Sequence, residues 1–168
     1  IDISTTHVVR VDRFQDTAWS LQKQKIVELA KAYNNAKIIL DATGFSSGSV
    51  IAEDLEQIPI VDDLKQVKLQ VIPFNFSNSS KKALVEKLIV SIEQKLITIP
   101  PTEKVMAEEL KAYTYEMTPM GNIRYTAPEG LYDDCVISLG LAVRGLGSYV
   151  YASLNNNFKR TRHPVGRV

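Results

Sequence analysis

Residues 36–57 read AKIILDATGFSSGSVIAEDLEQ, and their order decides the fold. Ala36 to Leu40 is a short apolar run with β-branched content, too brief for a good helix and suited to an inner strand that ends at Asp41. Gly44, Ser46, Ser47 and Gly48 then supply a flexible loop. A short helix over Ser49 to Gln57 follows, and Pro59 stops it. In α/β proteins ligands gather at the carboxyl ends of strands, so Asp41 stands where chemistry is expected. Taken alone, Asp41 also fits an ordinary Asx turn.

Working outward, the alternation of strand and helix continues, which is the rhythm of an α/β sheet. Upstream, His7 to Phe14 puts Val9 and Val11 on one side and Val8, Arg10 and Asp12 on the other, the period-2 pattern of a strand. Ser4-Thr5-Thr6 reads as a turn before it, and Ile1 to Ile3 as the tail of an earlier strand. Asp16 or Thr17 caps a helix to about Tyr33, ended by Asn34-Asn35. Downstream, a linker holding Asp62-Asp63 leads to a strand over Lys68 to Phe74. The Ser77-Asn78-Ser79-Ser80 loop then opens a helix from Lys81 to Leu96. Pro100-Pro101 breaks the chain, and Thr102 caps a helix to Lys111. A hairpin pairs Tyr113 to Thr118 with Asn122 to Thr126 around Pro119-Met120-Gly121, a glycine standing where the turn needs positive φ. The nearly all-apolar helix from Asp133 to Leu146 must be buried on the sheet. The expected architecture is α/β: a mixed β-sheet with the Ile38 strand central and flanked by helices, and an added β-hairpin before the last core helix. The expected division is one domain over residues 1–147 and a basic tail over 148–168.

Composition bounds the function. The chain has 168 residues, 45% of them hydrophobic, enough for one core. Its 20 basic and 19 acidic side chains leave a formal charge of +1, so any nucleic-acid affinity rests on local clustering of positive charge. One cysteine, Cys135, excludes an internal disulfide and a thiolate zinc cluster, which fits a reducing compartment. A signal peptide and an apolar run of membrane-spanning length are both lacking, which points to a soluble intracellular protein.

Two acidic features carry the chemistry. Asp41 closes a strand, and Asp133-Asp134 opens the buried last helix. One aspartate suffices for an N-cap, and a second beside it repels the first and calls for a compensating cation. Hard oxygen ligands select Mg2+ or Mn2+ over zinc. Two such ions about 3.5 to 4 Å apart would activate a water and stabilise the leaving oxygen of a phosphodiester. Lys81 and Lys82, at the start of a helix, are placed to reach phosphates, as are Lys159, Arg160 and Arg162 in the tail. A solvated helix face and a soluble tail are the structural alternatives. Trp19 and Tyr33 suit core packing better than base stacking.

Four segments together resemble the nuclease domain of the tailed-bacteriophage large terminase subunit. They are VVRVDRFQDTAWSLQKQKIVELAKAY (8–33), AKIILDATGFSSGSVIAEDL (36–55), FNFSNSSKKALVEKLIVSIEQKLITIP (74–100) and LKAYTYEMTPMGNIRYTAPEGLYDDCVISLGLA (110–142). The most specific parts are DATG and YTAPEGLYDDCVISLGLA. The resemblance implies a ribonuclease-H-like fold and a two-metal Mg2+ or Mn2+ endonuclease that cuts concatemeric double-stranded DNA during genome packaging. It makes Asp41 the second metal-binding acid, and Asp133 and Asp134 the third and its neighbour. It also implies an ATPase motor domain in the full-length protein, portal and small terminase partners, and the host-cell cytoplasm as the place of action. The family's first catalytic aspartate lies on an opening strand, whereas Ile1-Asp2-Ile3 aligns with the end of the second. Asp2 is the alternative candidate for that acid. Without it, poor cleavage is expected, restored by the preceding strand. The residues contain no phosphate-binding glycine-lysine loop. Competing readings are another ribonuclease-H-like nuclease, such as a junction resolvase or transposase core, and a non-catalytic DNA-docking or assembly domain. A phosphatase reading of DATG is weaker than these, since an aspartyl nucleophile site would want a second aspartate two residues on and position 43 is Thr.

Overall fold

The computed structural model describes residues 1–44, 47–62 and 65–147. In chain order the elements are α1 (Trp19–Ala32), β1 (Ile38–Asp41), α2 (Ser47–Glu56), β2 (Ile60–Asp62), β3 (Lys65–Val67), β4 (Val71–Phe74), α3 (Asn78–Glu93), α4 (Lys104–Ala112), β5 (Thr114–Met117), β6 (Ile123–Thr126) and α5 (Asp134–Gly145). The α/β class expected from the sequence is the one observed, but the Ile38 strand is not central in a larger sheet, since among the described residues β1 pairs with β4 alone. β1 and β4 form a parallel pair, with Ile38 opposite Val71 and Asp41 opposite Phe74. β2 with β3 and β5 with β6 are antiparallel hairpins.

Alternation along β1 sends its side chains to two cores. Ile38 and Leu40 pack with Val27, Ala30, Ala52, Leu55, Leu69 and Val71, a cluster built from α1, α2 and β4. Ile39 packs on the opposite face with Phe74, Leu84 and Leu141. The parallel pair is therefore covered on both faces, as parallel strands require. The third and largest cluster joins α3, α4 and α5 through Leu88, Met106, Val136, Leu139 and Val143, with Val8, Leu96 and Ile97 against them. α5 lies close on α3, since a Cβ on Gly140 would come within 3.0 Å of Leu84. In the hairpin turn Gly121 has φ +78 and donates its N–H to the Thr118 carbonyl, which meets the turn's demand for positive φ.

Several element boundaries depart from expectation. His7 to Phe14 is not a strand: His7 makes one isolated parallel bridge to Thr98, and the Val8 N–H donates to the Thr98 carbonyl. The expected facing is also reversed there. Val8 is 4% exposed and Val9 45%, because contact with Ile97 and Leu88 outweighs the local alternation. The sheet strand expected from Lys68 begins only at Val71, and β2 and β3 occupy the stretch taken for a linker. α1 starts after Ala18 with no side-chain cap, and Asp16 sits at φ 50 in the turn before it. Glu103, not Thr102, occupies the N-cap position of α4.

α3 begins at Asn78 rather than Lys81 because Ser77 and Ser80 form a reciprocal capping box, each side chain accepting the other's backbone N–H. Ser77→Ala should lower stability by about 1 kcal/mol, read as a shifted urea midpoint at unchanged slope. An unaltered midpoint would show that the cap contributes nothing. Among the described residues no helix is long and apolar enough to cross a membrane.

Candidate metal and nucleic-acid site

At the carboxyl end of β1 the chain turns sharply through Ala42, Thr43 and Gly44. Asp41 Oδ1 accepts the Thr43 N–H at 2.8 Å, so the Asx turn is real. That bond occupies one carboxylate oxygen and fixes the side chain without using the other. Thr43 Oγ1 in turn accepts the Phe76 N–H at 2.8 Å, and the Ala42 N–H donates to the Phe74 carbonyl at 2.9 Å. The loops after β1 and β4 are thereby pinned together. Phe76 meets Phe74 edge to face at 4.8 Å between ring centroids.

The helix start on the other side of this loop pair behaves differently from an ordinary N-cap. Asp133 holds the N-cap position of α5, yet its side chain makes no capping hydrogen bond. It turns instead to α3, where Lys81 Nζ donates to Asp133 Oδ2 at 3.0 Å. Asp134 is the exposed first residue of the helix. The cap comes from elsewhere: Glu109 Oε2 on α4 accepts the Cys135 N–H at 2.8 Å. Burial, followed by the Glu109 carboxylate, pushes the Cys135 thiol up to about 11, so it is an inert core thiol at neutral pH. Tyr113 is half-buried, and its hydroxyl has no hydrogen-bond partner among the described residues. Burial first, then the Asp133 and Tyr125 charges, hold its phenol well above the usual range, so it remains a neutral O–H donor.

Asp41, Lys81, Asp133 and Asp134 line one cleft of about 480 Å³ with Thr43, Phe76 and Ser138, and with Ile39, Ile137 and Leu141 as its apolar wall. Of these lining residues the three acids and Lys81 are expected from the sequence, and Thr43, Phe76 and Ser138 are not. Lys82 is not part of it, because its ammonium lies 3.8 Å from Glu86 one helical turn on, a solvated pair. Lys159, Arg160 and Arg162 fall outside the described residues. Asp2 does not line the cleft either: its Oδ1 accepts from the Ser4 hydroxyl and from the Ser4 and Thr5 N–H groups, which hold its carboxyl down at about 2.

The donor set fits a hard divalent cation. Three carboxylates and one ammonium line the cleft, a formal charge of −2, and among the described residues no soft ligand lines it to favour zinc or copper. Among the described residues no three acidic, histidine or cysteine side chains converge on a point. Mg2+ does not require that, since it keeps several waters and is commonly bound through one or two carboxylates with substrate phosphates.

The helix-covered α/β fold is of the ribonuclease-H-like class, as its superposition on solved large terminase nuclease domains shows. Within that class the chain is similar to the nuclease domains of large terminases. The large terminase subunits of Thermus virus P23-45 and Thermus phage G20c match it at 29% and 28% identity over 142 residues, 84% of this chain. The chain spans 27% of the length of these relatives. The large terminase nuclease of phage G20c, solved with bound cobalt, superposes with a TM-score of 0.71 at 26% identity, covering 86% of this chain and 71% of that one. The same nuclease has been solved with bound magnesium, again at a TM-score of 0.71 and 26% identity, over 86% of this chain and 70% of that one. The large terminase nuclease domain of Thermus phage P74-26 gives a TM-score of 0.68 at 24% identity over 84% of this chain and 67% of that one. No family model matches the chain.

Proposed function

We propose that this chain is the endonuclease unit of a large terminase, cutting concatemeric double-stranded DNA during genome packaging by metal-dependent hydrolysis of the phosphodiester bond. The observation that carries the reading is that Asp41, Asp133 and Asp134 line one cleft, Asp133 being turned away from capping its own helix and towards Lys81. Relatives solved with cobalt and with magnesium support a divalent ion as cofactor, and Mg2+ or Mn2+, as a two-metal pair, is the proposal here. By the same likeness the proposed partners are duplex DNA, an ATPase motor domain, portal and small terminase, and the proposed location is the host-cell cytoplasm.

Asp41, Asp133 and Asp134 would hold the ions. A divalent ion bound there would neutralise charge on the phosphodiester and favour ionisation of the attacking water. Lys81 is placed to give its ammonium to a phosphate oxygen, a charge-assisted contact that is strongest as negative charge accumulates. Ile39, Ile137 and Leu141 lower the local dielectric along one wall and strengthen both effects.

Supercoiled plasmid incubated with the chain in Mn2+ should be nicked and then linearised, and a chelator should stop it. Cutting that survives chelation would overturn the metal-dependent reading. A four-way junction cut in preference to linear duplex would favour a resolvase. Among the described residues no three-acid cluster forms, which favours a second reading, a non-catalytic DNA-docking domain, and DNA binding without any cutting would select it.

Lys81 offers an independent test, because its ammonium competes with a metal for Asp133. Lys81→Met should raise Mn2+ affinity about fivefold, the equivalent of roughly 1 kcal/mol for a partly exposed pair, while slowing cleavage. An unchanged affinity in a Mn2+ titration would show that the pair does not touch the metal-binding carboxylate.

A further inference from the structure

We infer that Glu109 is a positioning residue for the acidic pair at the start of α5, acting by capping that helix from α4 so that Asp133 is left free to face the cleft. The inference rests on the metal-site reading proposed above. A helix start leaves backbone N–H groups without partners, and an aspartate at the N-cap position is among the best local side chains for satisfying them. Asp133 holds that position and makes no such bond. Glu109 makes it instead, accepting the Cys135 N–H at 2.8 Å across 26 residues of sequence.

Capping from a distance places a carboxylate where it is costly. The Glu109 side chain is only 9% exposed, and its Oε1 has no hydrogen bond among the described residues. Burying such a charge is unfavourable unless it is compensated. Arg13 supplies the compensation: its guanidinium lies 3.6 Å from Glu109 Oε1 and stacks over the Tyr132 ring at 5.5 Å, immediately before the acidic pair. The positive end of the α5 dipole adds to it. The arrangement divides two tasks that one aspartate cannot perform together. Glu109 and Arg13 fix the first turn of α5, and Asp133 points across to Lys81 and the cleft.

Removing the Glu109 carboxylate leaves the Cys135 N–H unsatisfied, and Asp133, at the N-cap position, is the local side chain suited to replace it. Its carboxylate should then swing back onto the helix and withdraw from the cleft. The test is a Mn2+ titration of the 168-residue chain, followed by the free-ion electron paramagnetic resonance signal well below the melting temperature, with circular dichroism to verify folding. Glu109→Ala should weaken Mn2+ binding by roughly 10- to 100-fold, the usual loss for a supporting partner of a metal ligand. Glu109→Asp keeps the charge but falls one methylene short of Cys135, and it should behave like the alanine variant. Glu109→Gln keeps an acceptor at the right length and should restore affinity to within about threefold of wild type.

A merely structural role would lower the melting temperature and leave Mn2+ affinity of the folded variants unchanged, and that result would overturn the inference. Should the alanine variant fail to fold, the aspartate and glutamine pair decides the matter. A wild-type chain that binds no Mn2+ would instead overturn the metal-site reading and this inference with it, a flat series distinguishable from selective failure of the Glu109 variants.

Discussion

Asp41→Asn should lower the Mn2+ affinity of the cleft by more than about 100-fold and bring plasmid cutting to background. Loss of an outer partner already costs roughly 10- to 100-fold, and Asp41 is proposed as a direct ligand. Asparagine preserves the shape of the side chain, and its amide oxygen can keep the 2.8 Å bond from the Thr43 N–H, so the turn should survive. What disappears is one negative charge at a position where cations are to be held. Duplex DNA binding should fall little, since it depends on phosphate contacts with basic side chains. Calorimetric Mn2+ titration and gel assays of cutting and binding would separate these effects. Undiminished Mn2+ affinity in the variant would place the ion elsewhere.

The second large effect is on stability. Leu88 is 2% exposed and packs in the cluster that joins α3 to α5 through Val136, Leu139 and Val143. Leu88→Ala should cost about 2 to 5 kcal/mol, the transfer loss plus a cavity that the two close helices cannot readily collapse. Because α3 carries Lys81 and α5 carries Asp133, loosening this contact should also weaken the pair that spans them. Urea unfolding would show a much lower midpoint at a similar slope. A change of less than about 1 kcal/mol would mean that the helices repack freely around the missing side chain.

How much of this was legible in the sequence depends on the kind of signal. That Asp41, Asp133 and Asp134 line one cleft was legible, because strand ends and helix starts are places where topology brings distant residues together. Lys81 was legible as a cation at a helix start, but its neighbour Lys82 carried the same signal and points to Glu86 instead. A one-residue step turns a helical side chain by about 100°, and local sequence does not say which of the two faces the site.

The His7 segment failed for the opposite reason. Its alternation was clear, but pairing belongs to the partner, and the described chain offers it only the Thr98 bridge. Glu109 was missed because a glutamate in the charged helix KVMAEELKA reads as solvent-facing. A signal did exist. Glu109 lies three residues after buried Met106 and four before half-buried Tyr113, on the apolar stripe of α4 rather than opposite it. A carboxylate on a buried stripe asks for a partner, and the capless start of α5 supplied one.

The central claim is that Asp41 and the acidic pair hold a divalent ion together, and diffraction from crystals of this chain grown in manganese tests it most directly. An anomalous-difference peak is expected in the cleft within about 2.5 Å of a carboxylate oxygen of Asp41 and one of Asp133 or Asp134. Lys81 should have moved off Asp133 to admit the ion. No peak in the cleft at saturating manganese, or a peak held by only one side of it, would contradict the account.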